Sequence, residues 1–324
     1  MRTARTLFAC ALLVGAGVIP LLVRDAYYQH ILNVICLFAI GVYGFNIITG
    51  IAGQFNIAHA GFIGIGAYAS ALATTALPLS FWAALPLAVL VTAGFGFLIG
   101  YPSLRLRGVY FALTTLAFGE ILSLIFENWV AVTGGPMGIT KIPPPTPLVL
   151  PGLRLSFDEK TGFFYLCLVC LVAAVYVNRQ LLHSRLGRAM LAVRENEDLA
   201  QSVGVPIART KMIAFVLATV LLGATGSLYA HYFRFVSPIS FSAGESFRQV
   251  TMLIVGGKGT LFGPLLGAAL FTVLPEILRS MEAYQWIAYG LVLILCIVFL
   301  PNGISGWLRD LRHARRSPEP RCAP

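Results

Sequence analysis

Long apolar runs recur along the whole chain, at 7–23, 31–50, 60–79, 81–100, 109–126, 162–178, 212–230, 249–256 joined to 261–278, and 284–300. An α-helix rises about 1.5 Å per residue, so about 20 apolar residues span roughly 30 Å of hydrocarbon. Runs of this length in series predict a bundle of membrane-crossing helices. Composition agrees: 58% of the 324 residues are hydrophobic and only 11% are charged, against about 25% charged in a soluble domain. That balance excludes an ordinary soluble enzyme, a disordered protein and a nucleic-acid-binding module, despite a net charge of +10.

The stretch 249–278 is too long for one straight span, and Gly256-Gly257-Lys258-Gly259 interrupts it. Two segments turning at these glycines are expected, the first drawn partly from 245–256. The fold class is then all-α, a polytopic helical membrane protein of about ten transmembrane segments, with nine as the alternative count. With the N-terminus inside and ten spans, the inner loops and C-terminal tail hold 16 of the 23 Lys and Arg residues. Positive-inside bias therefore puts both termini in the cytoplasm. Arg2 and Arg5 precede the first run as in a signal peptide, but the run is long and more spans follow, so a retained helix is expected.

Residues 1–303 form the membrane domain in this reading, and 304–324 form a basic cytoplasmic tail. Two connectors interrupt the membrane. Residues 127–160 face outward, and Pro143-Pro144-Pro145, Pro147 and Pro151 favour an extended, non-helical loop. Residues 179–211 face inward; Lys211 counts among the inner-loop charges.

Motifs for chemistry are missing. The five histidines are scattered, and there is no H-E-x-x-H, no G-x-S-x-G and no G-x-x-x-x-G-K-[ST]. No catalytic or metal residue can be named, and ATP-driven work would need another subunit. Gly64-Ile65-Gly66-Ala67-Tyr68-Ala69 matches a dinucleotide fingerprint, but inside an apolar run with no strand before it. Its glycines are better read as close helix contacts, as are Gly96-x-x-x-Gly100 and Gly263-x-x-x-Gly267. Cys167-x-x-Cys170 lies within a span without a second pair, and reads as packing.

Four stretches carry a signal. From Thr49 to Tyr68, glycines (among them Gly53, Gly61, Gly64 and Gly66) and the polar Gln54, Asn56 and His59 break apolar sequence. This is either a broken element beside a substrate path or a turn followed by a glycine-rich span. Glu120 lies inside the fifth run, where a carboxylate at the bilayer centre costs roughly 2.5–3.5 kcal/mol, so it is expected to face the bundle interior. Thr133-Gly134-Gly135-Pro136 is turn chemistry, a loop start or a gate. Leu186, Met190, Val193, Leu199 and Val203 give helix-like spacing around the charged Arg194-Glu195-Asn196-Glu197-Asp198, with a stop at Gly204 and Pro206. A short amphipathic helix or helix pair results, either docking in a partner's groove or forming a solvated loop.

Together these stretches resemble the LivM-type permease subunits of branched-chain amino acid ABC transporters. The matches are Gly53-Gln54…His59-Ala60-Gly61-Phe62…Gly64-Ile65-Gly66-Ala67-Tyr68, Leu116-Ala117-Phe118-Gly119-Glu120, Thr133-Gly134-Gly135-Pro136-Met137-Gly138-Ile139, Gly187-Arg188-Ala189…Arg194-Glu195-Asn196-Glu197…Ala200…Gly204-Val205, and Gly256-Gly257-Lys258-Gly259-Thr260-Leu261-Phe262-Gly263-Pro264. They run in order from about residue 30 to 303. The resemblance implies an importer in a bacterial inner membrane. Its partners would be a second, LivH-like permease, two ABC ATPase subunits that bind the ATP and magnesium, and a periplasmic substrate-binding protein. It implies ATPase docking through Gly187, Arg188, Arg194, Glu195, Asn196, Glu197, Asp198, Ala200 and Gly204. A translocation pathway would run by Gly53, Gln54, Asn56, His59, Gly61, Gly64, Gly66, Tyr68, Glu120, Thr133, Gly134 and Gly135. At Asn196 the family more often has an acidic residue. Related permeases import urea, amides or aromatic acids; an intramembrane enzyme using Glu120 and His59, or a passive channel, are the rival classes.

Overall fold

The computed structural model describes residues 25–150 and 153–277, a few positions between 284 and 294, and the turn 303–306. The spans expected at 7–23 and, for most of its length, 284–300, both termini and most of the tail lie outside the described residues. The long helices are α1 (Ala26–Phe45), α2 (His59–Thr75), α3 (Phe81–Ser103), α4 (Val109–Asn128), α6 (Lys160–His183) and α9 (Ile207–Phe233). Short α5 (Val130–Thr133) follows α4, and α7 (Arg185–Glu195) and α8 (Glu197–Ser202) sit between α6 and α9. The glycine-interrupted stretch folds as α10 (Ala243–Gly256) and α11 (Gly263–Ile277), the hairpin that its turn residues predict.

Among the described residues, five segments are long and apolar enough to cross a bilayer: Ala26–Ile51, Phe81–Ser103, Val109–Asn128, Lys160–His183 and Ile207–Phe233. Gly263–Ile277 is a shorter apolar helix. The chain is a helical, multi-pass membrane protein.

The all-α expectation needs one correction. Two antiparallel strand pairs lie in or against the 127–160 connector: β1 (Ile139–Thr140) with β4 (Phe235–Val236), and β2 (Leu148–Leu150) with β3 (Leu153–Leu155). The connector is not wholly extended either, since it opens with α5 and a 3₁₀ turn at Gly135–Met137. Backbone groups in a loop still need partners, and short pairings provide them here. Residues 141–147, with most of the prolines, do lie outside any helix or strand. This segment is strapped down through Pro143 O, 2.7 Å from His231 Nδ1, and Thr146 O, which accepts from Trp82 Nε1 at 3.1 Å.

The core lies where α1, α2 and α9 meet, with Tyr43, Phe45, Phe62 and Phe215 buried. Small residues let the backbones touch. A Cβ on Gly66 would lie 2.7 Å from Gly223 backbone, and one on Gly226 would lie 2.1 Å from Ile63 O. Gly96 and Gly267 are similarly close, to Thr219 and to Met252 O. By contrast α3 and α4 leave much of their apolar surface uncovered by this chain, including Leu90, Tyr110 and Leu113.

Candidate functional site

α1 does not end cleanly. After Phe45 the chain passes into a π-helical segment, Asn46–Ile51, then an irregular stretch to Ala58. A π turn inside a helix often marks a functional site, and its displaced backbone groups require partners. Thr49 Oγ1 donates to Gln54 O at 2.8 Å, and the side chain of Asn46 anchors the segment to its neighbours. Its Nδ2 donates to Asn178 Oδ1 at 3.1 Å and to Thr260 O at 3.2 Å, and its Oδ1 accepts from Gly259 N at 2.8 Å. Asn178 in turn donates to Ala174 O at 3.1 Å and Tyr43 O at 3.3 Å. The broken helix is thereby fastened to α6 and to the α10–α11 turn.

The helix pair α7–α8 joins at the same end. Ser184 caps α7 by accepting from Gly187 N at 2.9 Å. Asn196 breaks the pair and caps α8, its Oδ1 accepting from Asp198 N and Leu199 N, each at 3.0 Å. Gly204 terminates α8 with φ +84°, and Val205 N donates to Ala200 O at 3.0 Å. Gly187 is required by proximity, because a Cβ there would sit 1.6 Å from Leu181 O.

Part of the charged cluster is tied inward, through Arg194, Glu197 and Lys211, while Glu195 and Asp198 stay largely exposed. Arg194 Nη1 donates to Gly50 O, inside the π segment, at 2.7 Å, and its Nη2 pairs with Glu195 at 3.0 Å. Gly53, at φ +74°, makes room: a Cβ there would meet Arg194 Cγ at 2.4 Å. Glu197 pairs with Lys211 Nζ at 2.5 Å and with Arg107 at 3.1 Å, and Asp198 pairs with Arg107 at 3.1 Å. Lys211, counted from the sequence among the inner-loop charges, is buried: only 2% of its side chain is accessible. A lysine stem crossing apolar surface to reach a carboxylate explains that burial. Arg188 donates to His183 O at 3.3 Å. Leu199 on α8 and Val203 just after it are exposed apolar residues beside the exposed Asp198, Gln201 and Ser202, while Ala200 is buried.

The structure thus joins two residue groups that the sequence kept apart. Gly53 and Gln54 line one cavity of about 630 Å³ together with Arg194, Glu195, Asn196 and Glu197. The other expected pathway residues lie deeper. Asn56 accepts from Ala58 N at 2.9 Å, and His59 Nε2 lies 3.1 Å from Gly41 O, its ring against Phe45. Gly61, Gly64 and Tyr68 are buried against α4: a Cβ on Gly61 would meet Leu122 at 2.9 Å and one on Gly64 would meet Phe126 at 2.6 Å, while Tyr68 stacks on Phe126 at 4.7 Å. Thr133 is a cap, its Oγ1 donating to Phe126 O at 2.7 Å, and Gly134 and Gly135 adopt positive φ in the turn that follows. Glu120 does not face the bundle interior. It is exposed on α4, beside Ile121 and away from Leu122 and Phe126.

Asn46, Asn178, Gly259, Arg107 and Lys211 were not among the expected site residues. A signal existed for two: Asn46 and Asn178 are amides inside apolar runs, and buried amides need partners.

Comparison with known proteins fits this arrangement. Residues 27–300 match a family described as branched-chain amino acid transport system / permease component. The chain is 36% identical over 319 residues to the high-affinity branched-chain amino acid transport system permease protein LivM of Salmonella typhimurium, covering 92% of this chain and 74% of that one. The Escherichia coli LivM is 35% identical over 316 residues, with the same coverage. LivH of Salmonella typhimurium is 25% identical over 306 residues, covering 86% of this chain and 96% of its own. No solved structure matches. A multi-pass helical bundle with a tethered helix pair at one end, matched over most of its length, belongs to the permease components of branched-chain amino acid transport systems.

Proposed function

We propose that this chain is one of two permeases of an ABC importer for branched-chain amino acids in a bacterial inner membrane. Residues 1–303 form its membrane domain and 304–324 a cytoplasmic tail. The second permease is LivH-like. Two ATPase subunits hold the ATP and magnesium, and a periplasmic binding protein delivers substrate. In this orientation the α7–α8 end faces the cytoplasm and the 127–160 connector faces the periplasm.

The observation that carries the reading is the bond from Arg194 to Gly50 O. The exposed Leu199 on α8 and Val203 just after it offer apolar contacts to an ATPase groove. Arg194 links the adjoining α7 to the one interrupted segment of α1. A displacement of α7–α8 is therefore transmitted to a spanning helix. ATP energy enters as a difference in contacts between two arrangements, with no chemistry in this chain. Glu120 supports the second permease: an exposed carboxylate within a spanning helix is poorly matched to lipid, and a protein neighbour relieves that cost.

Purification from membranes in mild detergent, with mass spectrometry of what accompanies the chain, tests the assembly. Recovery of a second permease and two P-loop ATPases is expected, with ATP-dependent leucine uptake by the reconstituted set. Recovery of the chain alone, or leucine flux without ATP, would refute the importer.

A further inference from the structure

A second cavity of about 380 Å³ lies along α1 from His30 to Gly41, against the start of α2, the last turns of α9 and the first turns of α10. That volume falls within the roughly 300–1,000 Å³ of small-molecule sites, which are apolar with a few placed polar groups. Leu37, Phe38, Ile63 and Phe241 supply apolar wall. Its charged pair and an amide come from one stretch of α10, Glu245, Arg248 and Gln249, while His30, Thr225, Tyr229 and Ser240 add polar groups from the other walls. Ser246, between Glu245 and Arg248, accepts from Ala60 N at 3.0 Å and fastens α10 to α2.

Glu245 and Arg248 pair at 2.7 Å across one helical turn, and the guanidinium lies 4.4 Å over the Phe38 ring. A helix ion pair explains that much. It leaves two atoms unexplained. Arg248 Nε and Gln249 Oε1 are both buried with no hydrogen-bond partner, although Gln249 as a whole is only 3% exposed. A buried polar atom without a partner costs about 1–3 kcal/mol. Here one orphan is a cationic donor and the other a neutral acceptor, in the same cavity. Gly41 keeps the wall beside the acceptor thin, since a Cβ there would lie 3.5 Å from Gln249 Oε1.

The geometry points to a transient binding site for an apolar α-amino acid, resting on the importer reading above. The substrate carboxylate bonds Arg248 Nε, its ammonium bonds Gln249 Oε1 and Glu245, and its aliphatic side chain lies on Leu37, Ile63 and Phe241. A zwitterion presents one acceptor group and one donor group, which is what the two orphans lack. The paired Glu245 and Arg248 are together neutral, so the site favours a neutral zwitterion over a free amine or a free carboxylate. The cavity lies along α1 and the α7–α8 pair is bonded to the π segment that continues it, so movement at the π segment reaches the site through one helix.

The test uses the complete importer in proteoliposomes with its binding protein. Glu245→Gln and Arg248→Gln are each expected to lower leucine transport at least tenfold, with subunit composition and basal ATP hydrolysis unchanged. The exchanged variant Glu245→Arg/Arg248→Glu separates binding from structure. It restores an ion pair on the helix but reverses the polarity offered to substrate, and is expected to stay inactive. Recovery of transport by the exchange, or normal transport by either single variant, would overturn the site. Should a charge variant fail to assemble, Gln249→Leu removes only an orphan acceptor; it is expected to assemble and transport poorly, and normal transport by it overturns the site equally. A wild-type importer that moves no leucine refutes the importer reading instead, before any variant is made.

Discussion

At the α7–α8 end, the polar groups close on protein atoms, Glu197 Oε2 through an ion pair with Arg107 rather than a hydrogen bond. Arg194 ends on Gly50 O and Glu195, Glu197 on Lys211 and Arg107, Asn46 on Asn178, Thr260 and Gly259. At the α10 end, Arg248 Nε and Gln249 Oε1 close on nothing. A satisfied network holds one arrangement and transmits movement as a unit. An unsatisfied pair of atoms is strain that a ligand relieves. The comparison assigns coupling to the first end and substrate to the second.

The comparison breaks first at Lys211. Lys211→Met keeps the apolar stem and removes the charge, leaving Glu197 with Arg107, whose side chain is 59% exposed. Breaking a buried pair from one side costs about 3–5 kcal/mol. A large fall in the melting temperature of the detergent-purified protein is expected, with faster limited proteolysis between α8 and α9. An unchanged melting temperature would mean that the α7–α8 end is not held by its charges.

Gly187→Ala tests the same end through packing. The added Cβ would lie 1.6 Å from Leu181 O and 2.5 Å from Leu181 C, and a helical backbone has little room to yield. Overpacking of this kind costs about 1–3 kcal/mol. The variant is expected to insert normally but to retain little ATPase on purification, because α7 must lift from the end of α6. Full ATPase recovery would show that the seat of α7 is not what docking requires.

Much of this was legible in the sequence, and the physical reason is the bilayer. Apolar length fixes the spans, so α3, α4, α6 and α9 fall where hydropathy predicts. The glycines at 256, 257 and 259 turn the α10–α11 hairpin, and Gly204 ends α8 as its residue type demands. Pairing was not legible. Lys211 and Glu197 are joined by how α8 folds back on α9, and Asn46 and Asn178 meet across 132 positions. Rotation about a helix axis was not legible either. Glu120 lies on an apolar run whose periodicity is too uniform to say which side faces inward, and it faces out. Nor does anything in the sequence predict Phe38 beneath the Arg248 guanidinium.

The smallest effect is the most discriminating, because its sign is the point. Gln249→Leu makes the same kind of change as Lys211→Met, a buried polar group exchanged for an apolar one. If both ends were ordinary core, both variants would lose stability. Gln249 Oε1 has no bond to lose, so the exchange removes a desolvation penalty and adds apolar surface to an apolar wall. The melting temperature is expected to stay level or rise, by the equivalent of about 1 kcal/mol at most, while leucine transport falls. Stability gained as function is lost is the mark of a group kept for a ligand rather than for the fold. A clear drop in melting temperature would show that Gln249 serves the packing of α10 on α1, and would make the two ends alike.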